Sequence, residues 1–366
     1  MDRTGRRAFL TTAVVGAVSG CTTGWGRRSP DDGVDGGPPV TEPVLSTEHE
    51  PFDVFDAATS GDAAELVDDP PEIGRFDAAI DDPQFVTPTD AGFLEPDSVV
   101  FGAVYDGEAK AYPQSILVYH EIVNDTLGGT NLSATYCPLT GSALAFERGE
   151  TSFGISGKLV NSNLVMYDRG TTTWWPQILS AGVAGPHSGD GLVERPLIWT
   201  SWERWRTAYP ETQVLSLETG YVRDYDRDPY GSYDPLSGYY SSGPPARPLM
   251  HDDERFDPKT PVIAARSGGE PVAFEKDTLR EKGLLTVDAA GNSYVAVYDE
   301  ELDTGYVYRN PERTALEYEA GAIVDRNRNS WAAGELPLPS VNAFDAMWFA
   351  WAAFYPETAV VPESGV

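Results

Sequence analysis

The sequence predicts an α+β protein, mostly antiparallel β, made of two related tandem units that each close with an aromatic helix. Three observations predict it. Gly (36) and Pro (29) are frequent among the 366 residues, which favours many turns and short elements over long helices. Apolar residues recur at alternating positions in short runs such as Val99, Phe101, Ala103 and Tyr105, the period of a strand. The chain also repeats itself. Shifted by 162 positions, Gly107–Glu108 falls on Gly269–Glu270, Leu117 on Leu279, Tyr136 on Tyr298 and Phe146 on Tyr308. A second block aligns at 157, Asp168–Arg169 on Asp325–Arg326 and Trp174 on Trp331. A third aligns at 146, Trp202 on Trp348, Trp205 on Trp351 and Tyr209–Thr212 on Tyr355–Thr358.

The elements follow in order. Residues 1–21 read as an export address. Arg6–Arg7–Ala8–Phe9–Leu10 resembles a twin-arginine signal, and Val18–Ser19–Gly20–Cys21 a lipobox that makes Cys21 the lipidated N-terminus. Such an anchor places the body outside the cytoplasm, on the outer face of the membrane. Residues 22–50, rich in Gly, Pro, Ser, Thr and acid, read as a flexible tether, and 51–96 as an N-terminal extension of the body. Unit 1 spans 97–216 and unit 2 spans 260–366, joined by a Tyr-rich ordered connection, 217–259. Within each unit a hairpin turns near a Gly such as Gly107. A short helix follows Pro113, and further strands lie near Leu132–Tyr136 and Ala143–Ala145. Each closing helix presents two Trp at i,i+3 on one face, which reads as core packing. Ser201 is the expected N-cap of the first and Asn342, with Asp345 three residues on, of the second. Tyr-Pro ends both.

Asp and Glu number 57 against 26 Lys and Arg, a net charge of −31. That balance excludes a nucleic-acid-binding body, which needs a basic surface. Acids spread along the chain with only five Lys match the composition of a halophilic protein, where concentrated salt screens self-repulsion.

Residues present in one unit alone are the candidates for function. His120 falls on Lys282, Glu121 on Gly283, Asp125 on Val287 and Cys137 on Asp299. His120, Glu121 and Cys137 are therefore the candidate catalytic residues. Cys137 closes a strand before a Pro-Leu-Thr-Gly turn, and a nearby imidazole would activate its thiol. His120, Cys137 and Asp125, with Glu121 or His187 completing the set, also suit a mononuclear copper or zinc site. The alternatives are a buried structural thiol, a small-ligand or glycan binding module using Asn161, Ser162 and Asn163, and an envelope protein with no catalytic site. Once Cys21 is lipidated, Cys137 has no partner for an intramolecular disulfide. No hydrolase elbow, zinc-protease helix or phosphate loop occurs. Asn124-Asp-Thr126 and Asn131-Leu-Ser133 match the glycosylation acceptor pattern.

The runs Ala111–Tyr112–Pro113, His120–Glu121–Ile122–Val123–Asn124–Asp125, Thr135–Tyr136–Cys137–Pro138–Leu139, Phe153–Gly157 and Met166–Arg169 closely resemble domain-of-unknown-function family 3179. The resemblance extends from about Asp81 to Tyr355–Pro356. It implies an exported protein and carries no established activity. Members often read Cys-Pro-Leu-Cys-Gly where this chain has Cys137–Pro138–Leu139–Thr140–Gly141. Thr140 removes the second sulfur and with it any dithiol mechanism.

Overall fold

Two halves with the same order of elements build the molecule. The computed structural model describes residues 40–41, 77–233, 235–267 and 270–361. The leader, Cys21, the tether and most of the extension lie outside these residues. In the first half Val99–Tyr105 and Glu108–Pro113 form an antiparallel hairpin whose turn uses Gly107 at φ 82°. Helix α1, Gln114–His120, then leads into a meander of Ile122–Leu127, Thr130–Cys137 and Ser142–Glu147. In the second half the hairpin is Pro261–Ser267 with Glu270–Glu275. Helix α3, Lys276–Lys282, and the meander Leu284–Ala289, Asn292–Asp299 and Thr304–Arg309 follow. Every one of these elements recurs at an offset of 162, for example Thr130–Cys137 and Asn292–Asp299.

A smaller three-stranded sheet follows in each half, Phe153–Val160, Asn163–Asp168 and Trp174–Pro176 in the first, Leu316–Glu319, Ala322–Asp325 and Ser330–Trp331 in the second. Each half closes with a strand and an aromatic helix, Ile198–Ser201 with α2, Trp202–Ala208, and Ala343–Met347 with α4, Trp348–Phe354. The strand after each helix, Gln213–Leu215 or Ala359–Val361, returns parallel to the hairpin. All other pairings between named strands are antiparallel, so the fold is α+β and mostly antiparallel β. No described helix is long and apolar enough to cross a membrane.

The tryptophans are core. Trp205 and Trp351 are fully buried, and each indole N–H donates to a Thr seven residues on, Thr212 at 3.0 Å and Thr358 at 2.9 Å. Ser201 caps α2 through Arg204 N–H, as the sequence predicts. The cap of α4 is Met347, not Asn342. Asn342 and Asp345 belong to the preceding edge, where Asp345 pairs in the strand with Ile263. One apolar cluster crosses between the halves, bringing Leu164 and Trp175 together with Phe344, Trp348 and Trp351. The Met347 N–H also donates to the Thr140 carbonyl at 2.8 Å.

Candidate active site around Glu121

Helix α1 ends abruptly. Glu121 turns the chain into the next strand with φ 51° and ψ −31°, its N–H donating to Leu117 O at 2.7 Å and its carbonyl accepting from Tyr136 N–H at 2.8 Å. The second half makes the same turn with Gly283, φ 73° and ψ −24°, through Leu279 O at 2.8 Å and Tyr298 N–H at 2.9 Å. Glycine is the ordinary residue for such a helix end. A Cβ on Gly283 would lie 2.1 Å from the Tyr318 ring, so the second half closes this space with an aromatic side chain. The first half places a carboxyl there. A non-glycine residue in this region costs on the order of 1–3 kcal/mol and persists where surrounding structure holds it.

No hydrogen bond to the Glu121 carboxylate is made among the described residues. Burial pushes its carboxyl up to about 7 from an ordinary 4.5. Its charge is felt by two neighbours. The Cys137 thiol, buried at the end of its strand, is pushed up to about 11, by burial first and by Glu121 second. The Tyr230 phenol rises to about 12 through burial, Glu121 and Cys137. Tyr239 stands beside them, raised to about 12 by burial and by Cys137, its O–H donating to Leu139 O at 2.9 Å. Lys259 places its ammonium 3.5 Å from the centre of the Tyr239 ring and donates to the carbonyls of Tyr239 and Ser242. The site is thus a carboxyl, a thiol and two phenols, with an amine behind them.

The sequence-predicted residues fare differently. His120 is fully buried and spent. Its Nδ1–H donates to Ala78 O at 2.7 Å, which makes Nε2 the acceptor for the Tyr225 O–H at 2.6 Å. Burial lowers its pKa, which favours this neutral form. His120 and Cys137 engage separate sets of groups, because the turn at Glu121 divides them. Cys137 Sγ accepts from Leu164 N–H at 3.4 Å and is protonated at neutral pH. Asp125 is held by Lys110, 2.9 Å from each carboxylate oxygen, and by the Tyr112 O–H at 2.8 Å. His187 leans on Asp190 at 3.0 Å. The expected His120–Cys137–Asp125 copper or zinc set is not assembled, and no three such ligands gather among the described residues.

Asn161, Ser162 and Asn163 do not line an open cleft. Asn161 and Ser162, at φ 52° and 64°, form the two-residue turn of the hairpin Phe153–Asp168. Asn161 Oδ1 accepts from Met250 N–H at 2.8 Å and Ser162 Oγ from Arg247 N–H at 2.9 Å. These two side chains dock the connecting segment onto the first half. Asn163 is buried in an amide–hydroxyl network with Gln177, Thr140 and Ser142. Asn124 is buried and bonded to Asp81, Ser133 and Phe153, which leaves no room for a glycan. Asp168 accepts from Thr171, Thr173 and Trp175, and Arg169 pairs with Asp77 and Asp81. Both roles are architectural, as their presence in both units implies.

Sequence reasoning missed Tyr230, Tyr239 and Lys259, which arrive from the connection. Fold and site together define a class, an α+β protein of two matching halves with a carboxyl–thiol site in the first alone. Residues 78–358 match the family described as protein of unknown function DUF3179, and the chain belongs to that family. Neither a curated protein nor a solved structure matches it.

Proposed function

We propose that this is an extracytoplasmic lipoprotein, held to the membrane through Cys21, whose first half carries an acid–base site centred on Glu121. The leader motifs support the export and the anchor. The matching offsets support two copies of one ancestral unit, the second serving as scaffold. A carboxyl that titrates near neutral pH both takes and returns a proton under working conditions. Cys137, Tyr230 and Tyr239 stay protonated there and act as the wall of the site; the Cys137 thiol and the Tyr239 O–H already donate to the Ser162 and Leu139 carbonyls, so the Tyr230 phenol is the group that meets a small polar ligand. The thiol is a poor nucleophile in this state, so proton transfer through Glu121 takes precedence over thiol chemistry.

One observation carries this reading: Glu121 occupies a backbone position that the second half assigns to Gly283. A strained residue kept where glycine would relieve the strain exchanges stability for use. The test is Glu121→Gly. The variant is expected to unfold at higher temperature than the parent and to lose ligand response. A thermal-shift screen of polar metabolites at pH 6 and pH 8, parent beside variant, reads both. If Glu121→Gly is no more stable and no compound distinguishes the two proteins, the acid–base reading fails.

A further inference from the structure

A cavity lies far from Glu121 in the chain, between the halves. It is a cleft of about 360 Å³ bounded by residues 194–198 of the first half and by residues 304–308 and 340–345 of the second. Its lining includes Tyr306, which is partly open, and the buried Tyr308 and Phe344 beside it. Its charged walls are already neutralised. Glu194 pairs with Arg266, Asp345 with Lys276 and Arg195 with Glu147. Its amide is not satisfied. Asn342 Nδ2 donates to Glu194 at 2.9 Å, while Asn342 Oδ1 is buried and accepts from nothing. Behind Glu194, Arg266 Nε and Nη1 are buried donors without acceptors. Buried polar groups are ordinarily paired, with protein, water or ligand.

We propose that this cleft binds a neutral polyhydroxylated ligand, a mono- or disaccharide. A charged ligand would enter a wall whose ions are all paired and leave a net charge uncompensated. An acidic one would also meet the protein's charge of −31. A hydroxyl both donates and accepts, so it serves Asn342 Oδ1 without disturbing the Glu194 contact. The partly open Tyr306 ring suits the apolar side of a sugar ring, and the volume lies in the small-molecule range. This site is independent of the Glu121 reading.

The experiment is calorimetric titration of the whole protein in molar KCl with maltose, trehalose and glucuronate. Saturable binding of a neutral sugar is expected, with glucuronate silent. Gly334→Leu should weaken it at least ~10-fold by filling the cleft. A Cβ at Gly334 meets only Tyr306, at 3.6–3.8 Å, an ordinary contact. Asn342→Ala, which leaves the Glu194–Arg266 pair in place, should weaken it about 10-fold and decides the matter if Gly334→Leu does not fold. Glu121→Gly should leave it unchanged. No saturable binding of either neutral sugar, a preference for glucuronate, or full affinity in folded Gly334→Leu and Asn342→Ala would overturn the proposal.

Discussion

Glu121 and His120 are neighbours in the chain with opposite effects on stability. The Glu121 carboxyl is raised from 4.5 to about 7 on folding. Between those values the folded chain keeps a proton that the unfolded chain has released. Its contribution is therefore present below 4.5 and is lost as pH rises through 7. A shift of that size corresponds to at most about 3 kcal/mol, less for a partly exposed group. Glu121→Gln is expected to gain about 2 kcal/mol at pH 8 and almost nothing at pH 4, measured by urea unfolding. Equal effects at the two pH values would mean that the carboxyl does not titrate near 7. His120 works the other way. Its pKa is lowered by burial, so its contribution is full above the unfolded value of 6.5 and is lost as pH falls. Cys137, at 1% exposure and raised to about 11, is expected to resist an aromatic disulfide reagent at pH 8 until urea unfolds the chain. Rapid native labelling would place the thiol in an open site instead.

At the scale of elements, most of the fold is legible in the sequence because local signals agree. Alternation marks the strands, Gly107 the hairpin, Tyr209 and Tyr355 the helix ends, and the signals recur in both halves in the same order. The cap at Asn342 was misleading because it satisfies a local pattern while lying six residues before α4, next to an edge strand paired to the hairpin. The site was legible only in part. His120 and Cys137 share a unit, but backbone conformation at Glu121 decides which of them it serves, and φ has no spelling in sequence. Its trace was Gly283 in the gapless alignment. Tyr230 and Tyr239 reach Cys137 from about 100 residues away, which no local pattern encodes. The offset also yields a test of packing. Gly102 corresponds to Ala264, yet a Cβ on Gly102 would lie 2.1 Å from the Trp205 ring. The two halves seat their tryptophan helices differently against the same hairpin. Gly102→Ala is expected to cost about 2 kcal/mol by overpacking, seen as a lower Tm. A neutral outcome would mean that α2 slides to accept the methyl.

At the scale of the molecule, the question is what makes two similar halves one body. Apolar contact between Trp175 and the α4 side is part of the answer. The other part is ionic and buried. Arg266, on the hairpin of the second half, reaches Glu194 and Ser180 of the first, with side-chain exposures of 4% for Arg266 and 9% for Glu194. Such a pair adds little over a well-packed apolar contact, because both ions lose water to make it. It is, however, costly to break from one side. Glu194→Ala would leave Arg266 with a single hydroxyl partner in the interior and is expected to cost about 3–5 kcal/mol. Arg328–Glu319, at 70% and 40% exposure, gives the contrast. Glu319→Ala should cost at most about 1 kcal/mol and less in molar salt. Replacing both partners, Glu194→Leu with Arg266→Met, should recover most of the loss, since no unpaired charge then remains. Urea unfolding of the four proteins at low and high salt separates the cases. A Glu194→Ala loss no larger than that of Glu319→Ala, or one that salt abolishes, would place the ion pair in water and leave apolar packing alone to hold the halves together.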